Sequence, residues 1–227
     1  MIHLDIFKEI FHNLKLKYQI RLLQINKYHN HYLQIIDFYH MNNKYLNALT
    51  DEIIINYPNL QKLNIKYNPK CTKNVMYLTN LSELNCSSVR SKPCNLAEEQ
   101  IKYLNLTKLK MQGNVNIENL NHLTNLRTLN CNFSIITDDS IKNLDLMKLS
   151  VKGNFKIKNI SAMTNLKSLN CGWFSHITED GIKNLKLTKL DIVDNVNIKN
   201  LNHLTSIKSL KCGQFHSTSD LSNSSLT

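Results

Sequence analysis

Short strings of alternating apolar and polar residues return along most of the chain. Between residues 59 and 215 each string reads L-x-x-L-x-Φ, where Φ is an apolar residue. Alternation over a few residues predicts a short β-strand with one buried face. The strings open at Leu60, Leu81, Leu106, Leu126, Leu146, Leu166, Leu187 and Ile207. From the third of these onward the spacings are 20, 20, 20, 21 and 20 residues. The pattern therefore predicts one strand and one return segment in each interval.

The regular spacing also predicts the fold class. Self-similarity at a period of roughly 20–29 residues resembles that of leucine-rich repeats. One strand with its return segment cannot bury its apolar face alone, whereas stacked units share a continuous core. The sequence therefore predicts an α/β (α+β) protein, a leucine-rich-repeat solenoid with a curved parallel sheet of about eight rungs.

The units alternate between two kinds, so that the full repeat is a pair of about 40 residues. In one kind the ninth position is asparagine, whose amide can satisfy backbone groups where the strand turns away. These asparagines form the predicted structural ladder: Asn68, Asn114, Asn154 and Asn195. In the other kind the ninth position holds Val89, Ser134, Phe174 and Phe215. We therefore expect the ladder in every other rung only.

Two return segments of the second kind read ITDDSIKNL and ITEDGIKNL. Their threonines, Thr137 and Thr178, are followed by acidic residues, which predicts an N-cap and the start of a helix. The longest interval carries an insert at 87–103. We expect a longer helix there, with Pro93 near its start.

Six cysteines could suggest a disulfide framework. Four of them occupy the same inward position of alternate units: Cys86, Cys131, Cys171 and Cys212. That places them about 9.6 Å apart, two strand spacings, whereas the Cα atoms of a disulfide lie roughly 4.4–6.8 Å apart. We expect the thiols of these four to be free and buried. Cys71 and Cys94 fall in return segments, and the pattern does not decide their role. Nothing in this usage requires an oxidising compartment, so we expect a cytoplasmic or nuclear protein.

The formal net charge is +11 and the pI is about 9.3, and nearly all of the cations are lysine. One interpretation is an AT-rich gene, whose codons favour lysine and asparagine. The other is a basic surface for an acidic partner. Lysine in place of arginine argues against base-specific DNA recognition. The opening residues lack the basic start of a signal peptide, and no stretch approaches the roughly 20 apolar residues of a membrane span.

Residues 1–46 fall outside the repeat and predict two or three short amphipathic helices. They resemble an F-box, whose pattern is approximately L-P-x-E-I-x-x-x-I-x-x-x-L, a gap, and L-x-x-L-x-x-V-C-K-x-W. Asp5 stands where that family has proline, and Asn26 where it has cysteine. The alternative is a helical cap that covers the first rung. The residues that carry the resemblance are Leu4, Glu9, Ile10, Leu14, Leu22, Ile25, Lys27 and Tyr28.

An F-box-like segment in front of leucine-rich repeats resembles the F-box/LRR proteins, including those encoded by large DNA viruses with AT-rich genomes. The resemblance implies a substrate-recognition subunit of an SCF-type ubiquitin ligase, in the host cytoplasm if the protein is viral. The F-box would bind the ligase adaptor, and the concave face would bind the target protein. The implied adaptor-binding residues are Leu4, Ile6, Ile10, Leu14, Leu22 and Ile25.

The predicted organisation has four parts. An F-box-like helical segment spans 1–46. A helix at 47–58, with Thr50 or Asp51 as N-cap and Pro58 as its end, joins it to the solenoid. The solenoid spans 59–215. A polar tail at 216–227, rich in serine, is expected to be poorly ordered.

The chain offers little catalytic chemistry. It lacks the G-x-S-x-G, H-E-x-x-H, Walker and C-x-x-C motifs. His12, His29, His31 and His40 lie near one segment, but their spacing is not that of zinc ligands. We therefore expect no enzymatic activity, no metal, no cofactor and no small-molecule substrate.

The concave face is the candidate binding surface. Side chains between the inward leucines face that side, and lysines recur there on alternate rungs, about 9.6 Å apart. They predict either a solvated polar face or a surface for an acidic or phosphorylated protein segment. The sole tryptophan follows a strand and is a candidate anchor. The predicted partner-binding residues are Lys62, Lys66, Lys108, Lys110, Lys148, Lys152, Lys189 and Trp173.

The sequence is consistent with three functions: the ligase subunit, a stand-alone repeat scaffold with a helical cap, and a basic nucleic-acid-associated protein. Adaptor binding separates the first two. A steep loss of binding between low and moderate salt would identify the third. We expect protein partners and no membrane partner.

Overall fold

The computed structural model describes residues 9, 12–25, 34–41 and 43–213. The predicted polar tail at 216–227 lies outside the described residues. So do three of the predicted adaptor-binding residues, Leu4, Ile6 and Ile10.

The described chain is built on one sheet of nine parallel strands, arranged in chain order. Each strand pairs with its neighbours in sequence, so the chain advances by one rung per repeat. This arrangement confirms the predicted solenoid. The strands are β1 (Asp37–Phe38), β2 (Lys62–Asn64), β3 (Glu83–Asn85), β4 (Lys108–Lys110), β5 (Thr128–Asn130), β6 (Lys148–Ser150), β7 (Ser168–Asn170), β8 (Lys189–Asp191) and β9 (Ser209–Lys211).

The core follows from the register of these strands. The central leucines of adjacent strands are partners, as Leu109 is with Leu129 and Leu129 with Leu149. These leucines and the anchor leucines of the inner rungs are buried, with less than about a tenth of their surface exposed. Ile207 and Leu210 in the last described rung are only partly buried, because no described rung stacks beyond β9.

The sheet begins earlier than the predicted start of the solenoid at residue 59. Strand β1 pairs with β2 through Asp37 and Lys62, and Ile35 and Phe38 are buried at the head of the core. This part of 1–46 was expected to be helical, and that expectation was wrong. A short apolar run has no period long enough to separate strand from helix, and here pairing with β2 decides it.

Helices are few and short. Among the described residues, α-helices form α1 (Leu16–Ile25), α2 (Asn43–Leu46) and α3 (Asp51–Ile54), and residues 9, 12 and 13 are also helical. Helix α3 lies within the predicted joining helix at 47–58. The return segments otherwise contain only 3₁₀ turns, at Asn74–Tyr77, Glu98–Gln100 and Asp180–Ile182. A repeat of about 20 residues leaves too few for an α-helix, and the 3₁₀ turn covers more length per residue.

Two sequence predictions about these segments are corrected. The insert at 87–103 forms no long helix: Val89 and Lys92 make an antiparallel bridge, and one 3₁₀ turn follows. The threonine caps do form, since Thr137 and Thr178 accept the amides of Ser140 and Gly181 at 3.3 and 3.2 Å. They initiate single turns instead of helices.

Candidate interaction surfaces

The lysines on the N-terminal half of the concave face are engaged within the molecule. Lys62 and Lys108 both pair with Glu83, at 3.3 and 2.8 Å. Partial burial acts to raise the pKa of Glu83, but the hydrogen bonds from Lys108 and Lys62 outweigh it and lower that pKa. The hydrogen bond to Glu83 also raises the pKa of Lys108. The lysines of this half are therefore held in contacts within the molecule, although a single carboxylate balances the charge of only one of them.

Tyr39 contributes to the same cluster. Its ring lies beneath two ammonium groups, those of Lys108 and Lys110, at 5.2 and 5.4 Å from the ring centre. Lys66 lies in the same way over the ring of Tyr67 at 5.6 Å. Such cation–π contacts hold a cation close to an aromatic face. Sequence reasoning missed Tyr39 because it follows a strand in a segment that was expected to be helical.

The C-terminal half of the concave face is different. Lys148 and Lys189 are exposed and make no ion pair with any residue that the structure describes. The register places Ser168 between them, with β6, β7 and β8 side by side. Lys152 is less available, because it pairs with Asp191 at 3.5 Å.

Trp173, which was grouped with the concave lysines, lies three residues beyond the end of β7 and not on the strand itself. It follows β7 at the edge of the solenoid where the strands end, with 52% of its surface exposed. Phe133, Phe155 and Phe174 are exposed at the same edge, after β5, β6 and β7. We call these four side chains the aromatic edge.

The four ladder asparagines are buried behind the ends of the strands. Each amide nitrogen donates to one or two backbone carbonyls: that of Asn68 to Leu46 and Leu49 at 2.7 and 3.0 Å, and that of Asn195 to Cys171 at 2.9 Å. Each amide oxygen accepts from the backbone two residues later, at 2.8–2.9 Å. The side chain thus supplies the donor and the acceptor that the turning backbone lacks.

Comparison with known proteins supports this architecture. No family model matches the chain, and no curated protein matches it. Among solved structures, an internalin from Listeria monocytogenes superposes with a TM-score of 0.50 at 25% identity, covering 70% of this chain and 49% of the internalin. An LRR protein of Leptospira interrogans gives a TM-score of 0.44 at 19% identity, covering 79% of this chain and 53% of that one.

The protein has the leucine-rich-repeat fold. The chain spans about half the length of the internalin that it matches. The comparison therefore establishes the fold of the repeat region.

The alternate rungs of this leucine-rich-repeat sheet use serine where the others use asparagine. Ser88 both accepts from the amide of Cys94 at 2.9 Å and donates to its carbonyl at 3.2 Å. Ser134 donates to the carbonyl of Cys131 at 2.8 Å, and Ser175 is fully buried. The sequence signal was available, because a serine stands at or beside the ninth position in each of these units.

A second ladder joins the return segments. The carboxylate of Asp138 accepts the backbone amides of Lys158 and Asn159, at 2.9 and 3.2 Å. The same role recurs in every second return segment, where an acidic side chain accepts backbone amides of the next return segment. The four acidic residues are Asp51, Glu98, Asp138 and Glu179. Sequence reasoning placed such residues only at local N-caps.

The thiols are unreactive by position. All six cysteines are free, and five of them are buried. Burial raises the pKa of Cys131 and that of Cys171 to about 12.

No group of three His, Cys, Asp or Glu within the described residues is arranged to hold a metal ion. No helix within them is long and apolar enough to cross a membrane.

Helix α1 lies against the head of the repeat sheet. Leu16 and Leu22 pack on the core, whereas Tyr18 and Ile20 are exposed. A cavity of about 860 Å³ opens beside the helix, lined in part by Leu14 and Ile20. Leu22, which was predicted to contact an adaptor, therefore also serves to cap the core.

Proposed function

We propose that the chain is a protein-interaction module that binds an acidic segment of a protein partner on the C-terminal half of its concave face. The observation that carries this proposal is the pair Lys148 and Lys189, exposed and without an ion pair among the described residues. Solenoids commonly use their concave surface for binding.

The spacing of the two lysines favours an extended acidic ligand. They stand two strands apart, about 9.6 Å, with the hydroxyl of Ser168 on the strand between them. In an extended segment, acidic side chains two or four residues apart point to the same side and are separated by about 7 or 13 Å, which brackets the spacing of the two lysines. The segment would therefore lie across the strands and contact both cations.

Anisotropy of a fluorescein-labelled peptide of alternating glutamate and serine tests the proposal, with its phosphoserine form as a second probe. We expect Lys148→Gln/Lys189→Gln to weaken binding about tenfold, because each exposed ion pair contributes up to about 1 kcal/mol. The matched control is Lys158→Gln/Lys183→Gln, which removes the same charge from exposed return segments. Equal affinity of the two double variants would exclude the concave site.

The excess of lysine also permits nucleic-acid binding, and the same assay separates the two cases. A labelled DNA duplex should bind weakly and without dependence on Lys148 and Lys189. Tight duplex binding that falls steeply between 50 and 200 mM salt would instead support the nucleic-acid function (about 10³–10⁵-fold for six to ten phosphate contacts).

We propose as a second candidate that the chain is a substrate-recognition subunit of an SCF-type ubiquitin ligase. The observation that favours it is α1 in front of the first rung, where Tyr18 and Ile20 are exposed and Ile20 lines an apolar cavity. Exposed apolar side chains on a helix suit an adaptor that buries them. The packing of Leu22 on the core favours the simpler capping role.

A pulldown of the full chain against the ubiquitin-ligase adaptor separates the two roles of α1. We expect capture by the adaptor, lost in Leu14→Asp and Ile20→Asp and retained in Tyr77→Asp, which alters an exposed return segment. Circular dichroism verifies that each variant is folded. Failure of the folded wild type to bind would leave a stand-alone repeat scaffold with a helical cap.

A further inference from the structure

The aromatic edge continues as an apolar stripe along one side of the solenoid. Val115 and Val196 extend it at either end, 53% and 62% exposed. Each of its side chains lies three to five residues after the strand of its rung, from β4 to β8. Four spacings of about 4.8 Å make the stripe about 19 Å long. Monomeric proteins seldom expose contiguous apolar patches of this kind unless they bind something.

The backbone under this edge is strained. Phe133, Trp173 and Phe174 have φ of 53°, 53° and 57°, in the left-handed region that disfavours side chains with a Cβ. In two other rungs the eighth position, which Phe133 and Trp173 occupy, is Gly113 or Gly153, with φ of 66° and 60°. Glycine adopts this conformation without strain. Tyr67 and Asp194 hold the same conformation at this position, each with φ of 61°, so the turn itself imposes it. At two such turns the chain keeps Phe133 and Trp173 where Gly113 and Gly153 show that glycine fits.

Packing accounts for only one of these aromatics. The ring of Phe133 covers Gly153 so closely that a Cβ there would come within 2.2 Å of it. Trp173 and Phe174 are about half exposed or more and make no ring contact with any described residue. Neighbouring rungs hold their backbone, since the Phe174 amide donates to the carbonyl of Asp194 at 3.0 Å. Large exposed aromatics kept at a strained turn position point to binding.

The charges beside the stripe are mainly basic. Lys156 is exposed next to Phe155, and Arg90 and Lys92 are exposed beyond the Val115 end. Asp194, which carries the opposite charge, lies in the rung next to Phe174. An interface is favoured when the partner carries the complementary charge.

We propose that this edge binds an extended protein segment in which apolar side chains alternate with acidic ones. In an extended segment alternate side chains point to opposite sides, and six residues span about 20 Å, the length of the stripe. The apolar side chains on one side of the segment cover Trp173 and Phe174. The acidic ones on its other side meet the side chains of Lys156 and Arg90, which are long enough to reach around the bound segment. This surface is separate from the concave lysines.

The test begins with a random dodecapeptide library displayed on phage and selected on the full chain. We expect the enriched peptides to alternate apolar and acidic residues. Trp173 is the only tryptophan, so its emission reports this site alone. Synthetic copies of the enriched peptides should shift that emission to shorter wavelength, and Lys148→Gln/Lys189→Gln should leave the shift unchanged.

The decisive variant is Trp173→Gly/Phe174→Gly. We expect the affinity for labelled peptide to fall at least about tenfold, because interface aromatics dominate binding, while Tm stays the same or rises because strain is released. The control Tyr77→Ala/Tyr103→Ala removes two exposed aromatics from the return segments and should keep the affinity. A large fall in Tm of the glycine variant would make the aromatics folding residues and overturn the proposal.

Three other results would also overturn it. The first is equal affinity of the peptides for the glycine variant and the wild type. The second is a set of enriched peptides without acidic residues. The third is a shift of the Trp173 emission with protein concentration alone, which would show that a second copy of the chain, and not a foreign segment, covers the edge.

Discussion

At the scale of single residues, the turn after each strand from β2 to β8 contains a buried asparagine or serine. Asn154 is fully buried; its nitrogen donates to the Ile136 carbonyl at 3.0 Å and its oxygen accepts from Lys156 and Ile157 at 2.8 and 3.0 Å. A buried backbone group that loses such a partner carries its full desolvation penalty.

We expect Asn154→Ala to lower the free energy of unfolding by about 2–4 kcal/mol, because it leaves one carbonyl and two amides without partners. Urea unfolding followed by circular dichroism measures the change. The control is Asn165→Ala, whose exposed amide donates to Asp145 at 2.8 Å and should cost at most about 0.5 kcal/mol. Equal losses in the two variants would show that the buried amide is not a significant source of stability.

The buried thiols give the fold a dependence on alkaline pH. The pKa of Cys131 and that of Cys171 rise from 9.0 to about 12 on folding. Above pH 9 the unfolded thiols lose their protons while the folded ones keep them, so the unfolded state is favoured. Stability from this source is therefore complete below pH 9 and declines as the pH rises toward 12.

We expect Cys131→Ala/Cys171→Ala to flatten the fall of stability between pH 9 and 11, whatever its effect at pH 7. Urea midpoints at several pH values measure the slope, which isolates ionisation from the loss of packing. Unchanged slopes would mean that other groups cause the alkaline loss.

At the scale of elements, the return segments are held to one another by carboxylates. The Asp138 carboxylate accepts two backbone amides from the next return segment. On the convex side, where no strands pair, these contacts connect one rung to the next. Hydrogen bonds to a charged group are stronger than those between neutral groups.

We expect Asp138→Ala to lower the free energy of unfolding by about 1–2 kcal/mol, less than for a buried group because the site is exposed. Its neighbour provides the control: Asp139 is exposed and pairs only with Lys142, at 3.3 Å. Asp139→Ala should change stability by no more than about 0.5 kcal/mol. A larger effect of Asp139→Ala than of Asp138→Ala in urea unfolding would contradict this assignment.

At the scale of the whole molecule, stability should vary along the solenoid. Inner rungs are stacked on both sides and their leucines are buried, whereas Ile207 and Leu210 are only partly buried. In a stacked array each unit depends on its neighbours, and local opening is easiest where fewest contacts hold it.

We expect hydrogen exchange, followed by mass spectrometry, to be slowest in β4–β7 and progressively faster toward β1 and β9. Uniform protection from end to end would instead indicate a single cooperative unit. Fastest exchange in the centre would contradict the stacking argument.

The repeat, the places of eight strands and the spacing that keeps Cys86, Cys131 and Cys171 from pairing can all be predicted from the amino-acid pattern alone. These features follow from local periodicity, because a strand shows one face inward and every rung repeats the last. The sequence did not predict β1, because residues 37–38 belong to no detectable repeat and gain their conformation from pairing with β2.

Which polar residues are free to bind depends on how the rungs stack. Lys62 and Lys148 occupy the same column of the repeat, yet Glu83 pairs with the first and nothing described pairs with the second. Trp173 lies beyond the end of β7 instead of on the strand, and Asp138 bridges rungs instead of capping only its own. In each case the partner lies 20 residues or more away in the chain, so the outcome depends on what stacking brings together, which no local pattern records.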